Sequence, residues 1–79
     1  MINVLFFGPV SERIGKSSLS VEYQPGLSLQ NLRDTLAAQY PQGFDIVSFT
    51  ALNGEHVRDL SRQISDNSEV AFMAKFSGG

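Results

Sequence analysis

The 79-residue sequence contains no cysteine. That removes disulfides, thiolate nucleophiles, thiolate zinc sites and iron–sulfur ligation. It has a single histidine, His56, so no histidine pair exists to hold a metal or relay a proton. Charged residues are few and balanced: six Lys and Arg against eight Asp and Glu, a formal net charge of −2. There is no basic run, which argues against nucleic acid as the main partner, because phosphate binding needs clustered cations. No stretch approaches the ~20 apolar residues of a membrane span. The opening "MINVLFFGPV" is apolar but has no basic flank, and it reads as a strand rather than a targeting signal. The expected location is the cytoplasm.

What is present fits one small domain, residues 1–79. A chain of this length buries only a little over ~60% of its unfolded surface, so its core is thin. "INVLFF" (2–7) is rich in β-branched and aromatic residues and is apolar on most of both faces. Such a strand belongs in the middle of a sheet or against a partner. "GPVSERIGKSS" is punctuated by Gly8, Pro9 and Gly15 and reads as a loop with one helical turn. "SLSVEY" (18–23) alternates apolar Leu19, Val21 and Tyr23 with polar residues, as a half-exposed strand does. The spacing pairs it with the first strand as a hairpin.

Pro25-Gly26 marks a turn, and the strongest helix signal follows it. Ser28 is a good N-cap, and Leu29, Leu32, Leu36 and Tyr40 recur at helical spacing. Pro41 and Gly43 are expected to stop this helix. "IVSFTALNGEHV" (46–57) reads as two short strands joined by an Asn53-Gly54 turn. "RDLSRQI" is irregular, with Leu60 and Ile64 directed to the core. "EVAFMAKF" (69–76) is the last strand; its even positions, Val70, Phe72, Ala74 and Phe76, are apolar. One amphipathic helix needs one sheet face to cover. The expected architecture is therefore α+β: a mixed sheet of four to five strands with one main helix on one face. The first and last strands lie parallel at its centre, a β-grasp or ubiquitin-like arrangement. The face without the helix then shows Leu5, Phe7 and Met73.

No catalytic constellation stands out. His56 follows a tight turn without a carboxylate or cysteine partner and reads as a surface or interface histidine. Asp34, Asp45, Asp59 and Asp66 are scattered without metal-ligand spacing, and no metal site is expected. Glu12 and Arg13 read as a solvated loop, and Ser11, Ser17 and Ser18 lack a nucleophile context. Gly8 and Gly15 are not followed by the strand–turn–helix pattern of a phosphate loop.

The end of the sequence, "KFSGG", carries the strongest chemical signal. Glycine makes up ~7% of residues on average, so two in the last two places arise by chance well under ~1% of the time. A terminal carboxylate is ionised at neutral pH and is a poor electrophile. Adenylation would give its carbon a leaving group. Glycine has no Cβ to crowd that carbon, and two glycines let the backbone extend through a narrow channel. Residues 77–79 thus read as a flexible substrate handle projecting beside the last strand.

At this point the chain resembles the small, sulfur-carrier subunits of molybdopterin synthase, over essentially its whole length. The resemblance lies in "INVLFFG" with "SERIG", in "ALNGEHV", and in "SDNSEVAFMAKFSGG". It implies that Gly79, with Gly78 behind it, is adenylated and then thiocarboxylated. A ubiquitin-activating-like adenylating enzyme using ATP and a separate sulfur donor would serve that step, with no cofactor bound to the chain itself. The implied destination is the large synthase subunit, in a heterotetramer whose catalytic groups lie on the large subunits. There the sulfur would build the dithiolene of molybdopterin from a pterin precursor. Phe7, Met73, Lys75, Phe76, Ser77 and His56 are the expected partner contacts. The chain departs from the family at Ser11, where Arg is frequent, at Asn67-Ser68, where Gly-Asp is usual, and at Ala74-Lys75, where Pro-Pro is common. Two other readings accept the same tail: a carrier for another route such as the thiamine thiazole, and a ubiquitin-like modifier joined to lysines through Gly79. A binding module with an idle tail is the bland alternative.

Overall fold

The computed structural model describes residues 1–75. Eight elements follow one another: β1 (Ile2–Phe6), α1 (Pro9–Ile14), β2 (Ser18–Val21), α2 (Leu29–Gln39), α3 (Pro41–Phe44), β3 (Val47–Leu52), β4 (Glu55–Val57) and β5 (Glu69–Ala74). The strands form one five-stranded sheet in the order β2-β1-β5-β3-β4. The terminal strands β1 and β5 are parallel neighbours at its centre, in register Val4–Val70 and Phe6–Phe72. All other pairings are antiparallel. The mixed sheet and the central parallel pair agree with the α+β, β-grasp expectation.

The sequence accounts for α2 at both ends. The Ser28 hydroxyl accepts from the Asn31 amide at 3.1 Å while the Asn31 side chain accepts from the Ser28 amide, a reciprocal cap. Its Leu29, Leu32 and Leu36 are buried against Val4, Phe6, Val70 and Phe72 of the central strands. Each such side chain contributes about 1.5–3 kcal/mol by leaving water. Asn53 and Gly54 both take positive φ (51° and 82°), as a two-residue turn between twisted strands requires. Asn67 also lies at positive φ (65°). Asparagine is among the side chains that best tolerate that backbone.

Two expectations need correction. Residues 9–14, expected as a loop with one helical turn, are helical throughout, a helix of six residues. Gly8 at φ 56° and Pro9 at the first helical position start it, and Gly15 at φ 84° ends it. The signal was Val10 and Ile14 at helical spacing: Val10 is fully buried and Ile14 packs on the core. Gly43, expected as a helix stop, is instead buried inside α3. α2 ends at Gln39, with the Tyr40 amide bonding Leu36 at 2.8 Å, and Pro41 then opens α3.

Gly43 is where α1 and α3 touch. A Cβ there would overlap Cγ1 and Cδ1 of Ile14. Gly43→Ala is therefore expected to destabilise by about 1–3 kcal/mol through overpacking. Urea unfolding checks it; an unchanged midpoint would show that Ile14 simply swings aside.

Candidate docking face

The helices and the buried core lie on one face of the sheet, so the site must be sought on the other. Strand alternation puts Leu5 on that second face of β1, and Ala71 and Met73 on that of β5. On β3 the alternation breaks. The pairing with β5 shifts between Val47 and Phe49, a bulge-like irregularity. Val47 packs on the core, Thr50 is buried opposite Phe72, and Phe49 is left outside, opposite Met73. The register lines up two rows across the sheet. Leu5 stands opposite Ala71, Ala71 opposite Ala51, and Ala51 opposite His56 on β4. Beyond it runs the row of Met73 and Phe49. Phe7 continues β1 towards this second row, its amide donating to the Phe72 carbonyl at 3.3 Å.

The result is an apolar surface. Phe7 is 46% exposed, one of two exposed large hydrophobics among the described residues. Met73, Phe49, Leu5 and Ala51 are half-buried. The exposed His56 ring meets the Phe49 ring edge-on, with centroids 5.1 Å apart. Lys75 follows β5 directly and is exposed. The structure thus brings together Phe7, Met73 and His56, and places Lys75 at the exit of β5. Phe76, Ser77, Gly78 and Gly79 lie outside the described residues. The sequence reading missed Phe49 and Ala51. Their alternation was visible, but the irregularity that sets which way it faces is a property of pairing with β5.

The remaining polar groups hold turns. The Asp59 carboxylate accepts from the Ser61 hydroxyl (2.6 Å) and amide (3.0 Å), which lowers its pKa. Asp66 accepts from the Met1 ammonium at 2.7 Å, and that contact lowers its pKa in turn. The Asn53 side chain caps the start of β5, accepting from the Glu69 amide at 2.8 Å. Among the described residues no three His, Cys, Asp or Glu gather in a metal-binding group, and no helix is long and apolar enough to cross a membrane.

With a sheet whose last central strand leads towards Gly-Gly and an apolar face beside it, known proteins supply the comparison. The ThiS family matches residues 4–79. The chain belongs to that family. A relative from Mycobacterium tuberculosis, named as a molybdopterin synthase sulfur carrier subunit, is 34% identical over 80 aligned positions, covering 99% of this chain and 96% of the relative. Among solved structures, SAMP1 from Haloferax volcanii superposes with a TM-score of 0.83 at 18% identity, covering 99% of this chain and 98% of that one. A chain from the complex of subunits 1 and 2 of the molybdopterin-converting factor of Helicobacter pylori gives a TM-score of 0.70 at 23% identity, covering 99% and 97%. At these identities the structural likenesses establish the β-grasp fold, and they include a converting-factor subunit as well as SAMP1. The family assignment rests on the sequence matches.

Proposed function

We propose that this protein is the sulfur-carrier subunit of a molybdopterin synthase. The observation that carries the reading is the near full-length match to a carrier subunit of that name, in a chain that ends in Gly-Gly. The chemistry follows from the tail. The Gly79 carboxylate attacks the α-phosphorus of ATP in the partner adenylating enzyme, and pyrophosphate leaves. A sulfide-level sulfur nucleophile from the donor then attacks the acyl carbon, and AMP leaves with the bonding pair. The product is a thiocarboxylate, anionic at neutral pH and nucleophilic at sulfur. In the large subunit that sulfur attacks a carbon of the pterin precursor, an oxygen substituent leaves that carbon with the bonding pair and takes up a proton, and water then cleaves the acyl–sulfur bond to restore the carboxylate. One carrier delivers one sulfur, so a dithiolene consumes two carriers.

The domain's part is placement. The apolar face of Phe7, Phe49 and Met73 lies at the end of the sheet where β5 leads to the tail. An apolar patch in that position is a docking surface for the large subunit, seating the domain while the tail reaches inward. All of these partners belong to the cytoplasm in this reading. Single-turnover mixing of the sulfur-loaded chain with large subunit and pterin precursor tests it. The expected result is dithiolene product at half the molar amount of carrier consumed. Loaded carrier that binds the large subunit yet yields no sulfurated pterin would move the protein to another sulfur route.

A further inference from the structure

A cleft of about 450 Å³ opens at the β3–β4 end of the sheet. Val47, Phe49 and Leu60 are among its apolar lining, and Arg33, His56 and Arg58 are its cationic or titratable groups. Phe49 and His56 also belong to the docking face, so cleft and face are continuous. In a chain of net charge −2, two of the six basic residues converge here. Among the described residues neither Arg33 nor Arg58 has a carboxylate within ion-pair distance. The neighbouring Asp59 carboxylate is bonded to Ser61 instead. The Arg33 guanidinium lies over the Phe44 ring, 5.9 Å from its centroid. That stacking restrains the side chain, so little further rotamer entropy is lost when it binds.

We propose that this cleft receives an acidic side chain of the protein partner that docks on the adjacent apolar face. Two guanidinium forks match the geometry of a carboxylate, and the apolar wall accepts the aliphatic stem or neighbour of an Asp or Glu. A partner seated on the adjacent face would cover the cleft and exclude water from it, so the ion pair would be screened less than one on open surface. Within the reading given above, the partner is the large subunit. The cleft then fixes the register of docking and the apolar face supplies most of the affinity.

The test is the affinity of the full chain for the large subunit, measured by titration calorimetry at low and at physiological salt. Arg58 is exposed and engaged in no bond that holds the fold, so Arg58→Gln leaves folding untouched; the pair with Arg33→Gln is compared at matched melting temperature. The expected result is an affinity about tenfold lower for the double variant at low salt, with a shallower salt dependence, and a smaller loss for Arg58→Gln alone. Wild type that binds with affinity and salt dependence unchanged by either variant overturns the cleft proposal alone. Wild type that does not bind at all overturns the carrier reading and the cleft with it. If deleting Gly78 and Gly79 shifts the Arg33 and Arg58 side-chain resonances of the isolated protein, the cleft takes the chain's own carboxylate, and the partner assignment is wrong.

Discussion

Deletion of Gly79 is expected to abolish sulfur transfer while leaving the melting temperature within about 2–4 °C of wild type, because surface and terminal changes are usually within ±0.5 kcal/mol. The new terminus, Gly78, still bears a carboxylate, so the chemistry is not removed; its position is. Each residue of extended chain spans about 3.5 Å, and misplacing a reacting group by about 1 Å can already cost 100-fold. A carbon withdrawn by a whole residue should fall out of reach of the adenylating site and of the pterin site alike. Gly79→Ala keeps the length but adds a Cβ beside the reacting carbon, and an intermediate loss is expected. The measurement is sulfurated pterin formed per carrier, with circular dichroism melts alongside. A deletion variant with wild-type turnover would remove Gly79 from its assigned role.

Phe72→Ala should cost about 3–5 kcal/mol, the usual range for deleting a buried phenylalanine. Phe72 has no exposed surface. Its ring packs on Phe44 at 4.9 Å and lies beside Phe6 at 6.3 Å, in the central strand that joins β1 to β3. Stability of about 0.05–0.15 kcal/mol per residue leaves a domain this short little to lose. The variant is expected to be largely unfolded at 37 °C and inactive for that reason alone. With a urea slope of ~1 kcal/mol per molar, the midpoint should fall by about 3–5 M. A loss below about 1 kcal/mol would mean that Phe6 and Phe44 close the cavity, and that the thin core repacks more freely than its burial implies.

These two residues also mark what the sequence made legible. Phe72 could be assigned to the core from alternation with Val70 and Ala74, because a strand's two faces differ by parity and nothing interrupts β5. The same parity put Phe7 and Met73 on the open face. The helix α2 was legible from leucine spacing and its serine cap. Four features were not. The α1 helix is short and lies between glycines, so local punctuation outweighed its two apolar anchors. Gly43 was read as a breaker because its packing against Ile14, 29 positions away, leaves no local trace. Phe49 was missed because the shift in pairing near Val47 reverses the facing of β3, and that shift depends on β5. The Arg33–Arg58 cleft likewise joins a helix to the end of an edge strand, and no spacing along the chain announces it.

The measurement that tests the carrier assignment most directly is the intact mass of the protein after incubation with its adenylating enzyme, ATP and a sulfur donor. The account predicts a gain equal to one oxygen replaced by one sulfur, confined to the peptide that ends in Gly79. An unchanged mass, with the same enzyme and donor active on another carrier, would contradict it; lysine conjugates through Gly79 would then identify the chain as a modifier.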